Sequence, residues 1–208
     1  MSRENIFASK APVLIDMDSV LADFDGKVYE ILEASYPHIK PNRNRPHFYI
    51  HEDYPEGVKE EVRSIARQSG FFKSLGLVKD ALIGWQRIID LGYEPRVCTT
   101  PLRSNLTCVE EKYEWLERYF VPVFGKSVVK LAIMTRDKQL QNGIALIDDR
   151  PEIESSESAV WQQVIFDRSY NRYVNDRFRI CGWLDPNLPE ILDKCNELYK
   201  PDAKKPCI

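Results

Sequence analysis

The sequence predicts an α/β fold: an open, mainly parallel sheet flanked by helices, with a small helical cap inserted after the first strand. Three observations carry this. Short β-branched apolar runs recur along the chain, stretches with helical spacing separate them, and about fifty residues between the first run and the helix near Leu82 hold no clear strand. Strands buried on both faces read as continuous apolar runs, and helices between them supply the crossovers that parallel pairing needs.

The runs come in order at Val13-Leu14-Ile15, Arg96-Val97-Cys98, Leu131-Ala132-Ile133-Met134, Ile144-Ala145-Leu146-Ile147 and Val164-Ile165-Phe166. Between them, Val28, Ile31, Leu32 and Tyr36 share one helical face, and Leu82, Trp85, Ile88 and Ile89 share another. Leu106, Val109, Tyr113, Leu116 and Phe120 form a third stripe, and Ile191, Leu192, Cys195, Leu198 and Tyr199 a fourth. The stretch that breaks the rhythm holds Pro37, Pro41, Pro46 and Pro55 and a set of aromatics. An insertion there lies over the C-terminal edge of the sheet, where open α/β folds bind ligands. Residues 26–77 are therefore expected as the cap, residues 1–25 and 78–208 as the core, and residues 200–208 as a frayed polar tail.

Composition narrows the function. In 208 residues, 43% hydrophobic and 29% charged content disfavours disorder and membrane spanning. Lys+Arg 29 against Asp+Glu 32 gives a net charge of −3, which disfavours a global grip on nucleic acid but leaves room for a local basic pocket. Met1-Ser2-Arg3-Glu4-Asn5 carries no apolar signal region. Cys98, Cys108, Cys181, Cys195 and Cys207 form no Cys-x-x-Cys pair, as expected of reduced thiols. A soluble, cytoplasmic protein is expected.

Chemistry concentrates at the ends of the apolar runs. Asp16-Met17-Asp18-Ser19-Val20 follows the first run directly. Acidic residues are depleted in strands, so this pair reads either as a helix-capping turn or as a catalytic pair. Cys98-Thr99-Thr100-Pro101 ends the second run and reads as a helix cap or as hydroxyl donors to phosphate, assisted by a helix N-terminus. Thr135-Arg136-Asp137-Lys138 follows the third, as a solvated charge cluster or a lysine that balances a dianion. Leu146-Ile147-Asp148-Asp149-Arg150-Pro151 ends the fourth with adjacent acids, which repel unless a cation lies between them. Mg²⁺ fits that need, because it takes one or two carboxylates plus waters and substrate phosphate. A parallel sheet brings all four strand ends to one edge, so the clusters make a single constellation.

These strings, with Leu21-Ala22-Asp23-Phe24, Gly70-Phe71-Phe72 and Glu111-Lys112-Tyr113-x-Trp115, resemble the haloacid dehalogenase-like superfamily of aspartyl-phosphate phosphatases. Within it the chain is most similar to the 5′(3′)-deoxyribonucleotidases, from about residue 12 to about residue 170. The resemblance implies a Rossmann-like sheet and Mg²⁺-dependent hydrolysis of (deoxy)ribonucleoside monophosphates through a covalent intermediate. Asp16 is then the nucleophile and Asp18 the general acid/base. Thr99, Thr100 and Lys138 bind phosphate, and the metal takes Asp16, the Asp18 carbonyl and Asp149. Asp148 serves as a neighbour to the metal ligands or as the alternative ligand. Phe24, Phe48 and Tyr49 line the base and sugar pocket, although Phe48 and Tyr49 also suit packing within the cap.

Ser19 departs from the Gly usual in that branch, and the cap follows the family loosely. Arg43, Arg45, His47 and His51 read as solvated surface or as a weak phosphate or ribose contact, and the histidines lack zinc-ligand spacing. The implied partner is a small nucleoside monophosphate, with no stable nucleic-acid binding and no membrane; a homodimer stays open. Two alternatives remain. One is the same apparatus on a phospho-amino acid, sugar phosphate or polynucleotide 3′-phosphate. The other is a non-catalytic phosphate-binding relative.

Overall fold

The computed structural model describes residues 11–201. The chain runs β1 (Val13–Ile15), α1 (Phe24–Ser35), α2 (Glu56–Ile65), α3 (Ala81–Asp90), β2 (Pro95–Thr99), α4 (Cys108–Tyr119), α5 (Val121–Phe124), α6 (Ser127–Lys130), β3 (Ile133–Met134), β4 (Ala145–Asp148), β5 (Gln162–Phe166), β6 (Phe178–Ile180) and α7 (Leu188–Leu198). The strands form one sheet in the order β3-β2-β1-β4-β5-β6. Every pairing is parallel, and Val13 stands opposite both Pro95 and Ala145. The α/β, parallel expectation is met.

That strand order has one consequence for function. The chain builds outward from β1 through β2 to β3, then returns to the other side of β1 with β4. Crossovers leave β1 and β4 in opposite directions, so a crevice opens between their C-terminal ends. Residues 26–77 contain α1, α2 and two single-turn helices, Ile50–Asp53 and Phe72–Ser74. Residues from this segment wall a cavity over that crevice.

Apolar burial holds the sheet: Val13, Leu14 and Ile15 are buried without remainder, as are Ala145, Leu146 and Ile147. Three buried indoles then fix the surrounding chain by their N–H groups. Trp115 donates to the Leu75 carbonyl at 2.8 Å, Trp183 to Val20 at 2.9 Å and Trp161 to Lys138 at 3.0 Å. Each accepting carbonyl lies in a segment that borders the crevice, so core packing and site geometry are coupled.

The structure departs from the expected elements in four places. β6 has no counterpart among the expected strands, because its apolar residues Phe178 and Ile180 alternate with Arg177 and Arg179. β3 is only two residues long, and Leu131 instead caps α6. The third stripe is rotated: Leu106 is 98% exposed and Val109 is also exposed, while α4 buries Cys108, Glu111, Lys112, Trp115 and Leu116. Residues 101–107 form a loop, so no helix begins at Thr99-Thr100-Pro101. Cys98, Cys108, Cys181 and Cys195 are free thiols. Residues 1–10 and 202–208, with the expected signal-free start, most of the tail and Cys207, lie outside the described residues.

Gly84 on α3 marks a close approach, since a Cβ there would meet the Trp183 ring at 2.2 Å. Gly84→Ala gains up to about 1 kcal/mol of helix propensity, but a contact this short with a buried indole puts the overpacking at the upper end of its usual cost of about 1–3 kcal/mol. Thermal unfolding should show a Tm lowered by several degrees; an unchanged or raised Tm would contradict this packing.

Candidate active site

The site begins where β1 stops. Asp16 still donates its N–H to the Ile147 carbonyl at 2.9 Å, which keeps it at the crevice between β1 and β4. The chain then turns tightly, with the Leu21 and Ala22 amides both donating to the Met17 carbonyl at 2.8 Å. This turn forces Ser19 into the left-handed region at φ +59°. Gly reaches that region without the Cβ penalty, which gives the family's usual residue a physical reason. Ser19 is held there by its N–H to Ala22, 2.7 Å, and by Arg168, which donates to its carbonyl.

Three carboxylates converge on the crevice. Asp16, Asp148 and Asp149 each present an oxygen within 4.8 Å of the others, and all three are buried. Lys138 enters from the turn Lys138–Leu140 after β3 and donates to Asp16 at 2.6 Å and to Asp148 at 2.7 Å. Asp148 also accepts from the Arg150 N–H at 2.8 Å, so both its oxygens are engaged. Asp149 accepts at Oδ2 from the Tyr170 hydroxyl. Burial, reinforced by the charges of Asp148 and Asp16, drives the Asp149 carboxyl well above the usual carboxylate range. The neighbouring carboxylates hold the Lys138 ammonium charged in spite of its burial, and its pKa is raised. One ammonium among three carboxylates leaves a negative excess, and an all-oxygen donor set of this kind fits a hard divalent cation.

Asp18 faces a different cation. Lys112 on α4, wholly buried, donates to Asp18 Oδ2 and to Thr99 Oγ1, each at 2.8 Å. Asp18 Oδ1 is buried with no hydrogen-bond partner. Burial raises the Asp18 carboxyl pKa, against the opposing pull of Lys112. The adjacent Glu111 accepts from the Phe72 N–H at 2.9 Å and from the Gly70 N–H and the Thr107 hydroxyl, so α4 also anchors the end of the 26–77 segment.

The cavity above these groups is about 370 Å³ and is lined by Asp16, Asp18, Thr99, Lys138, Asp148 and Asp149 together with Phe24, Phe48 and Tyr49. Every residue that the resemblance assigns to catalysis, phosphate, metal or substrate therefore reaches one pocket. Thr100 also lines it, but its hydroxyl donates to the Thr135 carbonyl at 3.1 Å, which ties β2 to the β3 end. Arg45 also lines the cavity but is not solvated surface: it is 3% exposed and grips Asp25 at 2.9 and 3.0 Å. Arg43 is exposed and pairs with Glu33 at 2.6 Å. Lys112 and Tyr170 were missed as site residues. For Lys112 a signal existed, because positions 108, 111, 112, 115 and 116 repeat at helical spacing with charges in two buried slots.

Residues 10–192 match the family described as "5' nucleotidase, deoxy (Pyrimidine), cytosolic type C protein". The chain belongs to this family. A nucleotidase of this family from Homo sapiens, the 5′(3′)-deoxyribonucleotidase of cytosolic type, is 34% identical over 198 residues, covering 89% of this chain and 95% of its own. The human mitochondrial 5′(3′)-deoxyribonucleotidase is 32% identical over 205 residues, 94% of this chain and 84% of its own. A Bordetella bronchiseptica protein, provisionally named a 5′(3′)-deoxyribonucleotidase, is 36% identical over 193 residues, 92% of this chain and 99% of its own. This nucleotidase is a phosphoric monoester hydrolase, and among its described residues no helix is long and apolar enough to cross a membrane.

The Lys112 pairing has a measurable stability. Removing one partner of a fully buried ion pair strands the other and costs about 3–5 kcal/mol; the Asp18 side chain is 27% exposed, which sets the loss toward the low end of that range. Urea unfolding of the metal-free nucleotidase should show a loss of that order for Lys112→Met, with Lys112→Met/Asp18→Asn recovering part of it. A double variant no more stable than Lys112→Met would mean that Asp18 is not the stranded group.

Proposed function

We propose that the protein is a Mg²⁺-dependent phosphatase that hydrolyses deoxyribonucleoside monophosphates, through a phosphoryl group carried on Asp16. The observation that carries this reading is the shared cavity: Asp16, Lys138 and the acidic cluster line it together with Phe24, Phe48 and Tyr49, and Lys112 lies behind its wall, bonded to Asp18 and Thr99.

The metal ligands on this reading are the Asp16 and Asp149 carboxylates and the Asp18 backbone carbonyl. Asp149 is preferred over Asp148 because both Asp148 oxygens already accept hydrogen bonds, whereas the Tyr170 hydroxyl occupies only one Asp149 oxygen. When bound, Mg²⁺ supplies positive charge between the incoming phosphate and the carboxylates around it.

The remaining chemistry belongs to the chain. A carboxylate and a phosphate dianion repel, so Asp16 needs cations beside it to attack phosphorus in line with the leaving oxygen. Lys138, hydrogen-bonded to Asp16, supplies one such charge and holds the attacking carboxylate in a fixed orientation. Asp18 protonates the departing sugar oxygen and then takes a proton from the water that hydrolyses the Asp16 phosphate. Its raised pKa suits the first role, and its unpartnered Oδ1 is the oxygen free to act. Thr99 is set by Lys112: the ammonium donates to its oxygen, so the hydroxyl proton must go to another acceptor, and phosphate is that acceptor.

Residues 26–77 form a cap on this reading, and residues 1–25 with 78–208 form the catalytic core. Phe24, Phe48 and Tyr49 offer aromatic faces to base and sugar, a recognition that works by stacking. Thr100, committed to the Thr135 carbonyl, supports the edge of the phosphate site with its backbone.

A panel of phosphoesters assayed with Mg²⁺ should give the highest kcat/KM for a deoxyribonucleoside monophosphate, and EDTA should remove the activity. Preference for a phospho-amino acid or sugar phosphate over every nucleotide would overturn the substrate assignment. Asp16→Asn should abolish turnover while the protein stays folded by circular dichroism. Asp18→Asn should slow hydrolysis about 10²–10⁴-fold, the range of general acid–base catalysis; an unchanged rate would remove Asp18 from that role.

A further inference from the structure

One turn after β5, Ser169–Asn171, holds Asp149 at two points and the 26–77 segment at a third. The Ser169 hydroxyl donates to the Arg45 carbonyl at 2.7 Å. The Tyr170 hydroxyl donates to Asp149 Oδ2. Asn171 Nδ2 donates to the Asp149 carbonyl at 2.8 Å and to the Phe166 carbonyl at 2.9 Å. Tyr170 and Asn171 are almost wholly buried, so these bonds compete little with water.

Arg45 closes the arrangement from the other side. Its guanidinium lies 3.7 Å from the centroid of the Tyr170 ring. The same guanidinium forks onto both oxygens of Asp25 on α1 and donates to the Phe48 carbonyl at 2.6 Å. The Phe48 ring meets Tyr170 edge-on, with centroids 5.7 Å apart. The phenol therefore has its ring clamped by residues of the 26–77 segment and its hydroxyl fixed on a core carboxylate.

We propose that Tyr170 is a positioning residue for the metal site, and that Arg45 makes Mg²⁺ affinity depend on the seating of the 26–77 segment. The inference rests on the reading of Asp149 as a metal ligand. A phenol donor on Oδ2 stops the carboxylate from rotating and leaves Oδ1 to the acidic cluster. Outer hydrogen-bond partners of this kind change metal affinity by about 10–100-fold when removed. A cation over the ring face both holds the ring plane and strengthens the phenol as a donor. Lysine cannot replace arginine here, because it lacks the planar fork that stacks on the ring while binding Asp25 bidentately.

The test is isothermal titration of the full, metal-free chain with MgCl₂, no nucleotide being present. Tyr170→Phe removes one oxygen and retains the ring, so it should keep the wild-type fold by circular dichroism while the Mg²⁺ Kd rises about tenfold or more. Arg45→Lys should raise the Kd in the same direction by a smaller factor, and the double variant should be no weaker than the two factors multiplied. Asp149→Asn serves as the reference and should show the largest loss. If Asp149→Asn weakens binding but Tyr170→Phe leaves the Kd unchanged, the positioning role is overturned while the metal reading stands. If Asp149→Asn binds Mg²⁺ as the wild type does, the ligand assignment itself fails and takes the inference with it.

Discussion

Three carboxylates are buried side by side at the C-terminal edge of a parallel sheet, and one lysine stands among them. Like charges so close in a medium of low polarity repel strongly, and their separation from water adds a desolvation cost. The arrangement persists only because the sheet around it is held by apolar burial, and because Lys138, Arg150 and Tyr170 each bond to one or more of the acids. A divalent cation held among the acids would relieve that repulsion. A protein selected for stability alone would not assemble such a cluster.

The fold is the instrument of this assembly. β1 and β4 are neighbours in the sheet yet more than a hundred residues apart in sequence, and parallel register sets Asp16 and Asp148 at the same edge. α4 contributes two successive charged residues: Glu111 fastens the end of the 26–77 segment, and Lys112 fastens Asp18 and Thr99. Position of the segment and orientation of Asp18 are thus set on one turn of one helix. The indole bonds of Trp115, Trp161 and Trp183 tie the same segments to the hydrophobic core.

Much of this was legible in the sequence. β1, β2, β4 and β5 are continuous apolar runs ending in polar residues, and that ending located Asp16, Asp18, Thr99, Asp148 and Asp149 before any coordinates. What escaped did so for physical reasons. β6 alternates arginine with apolar residues, because Arg179 bonds Asp167 at 2.8 Å and the Val174 carbonyl at 2.6 Å and is thus part of the interior's polar lining. The buried face of α4 was misassigned because Glu111 and Lys112 are charged, and hydrophobic periodicity does not register a buried charge satisfied by distant partners. Arg45 was hidden for the same reason: its partners Asp25 and Tyr170 are remote in sequence, and only the folded chain brings them together.

The central claim is that Asp16 carries the phosphoryl group, and chemical trapping tests it most directly. The enzyme would be mixed with Mg²⁺ and a deoxyribonucleoside monophosphate, quenched in acid during turnover and reduced with borohydride. An acyl phosphate is reduced where a free carboxylate is not, so peptide mass analysis should find homoserine at position 16. Full turnover with unmodified Asp16 at every quench time, or a reduced residue at another aspartate, would contradict the account.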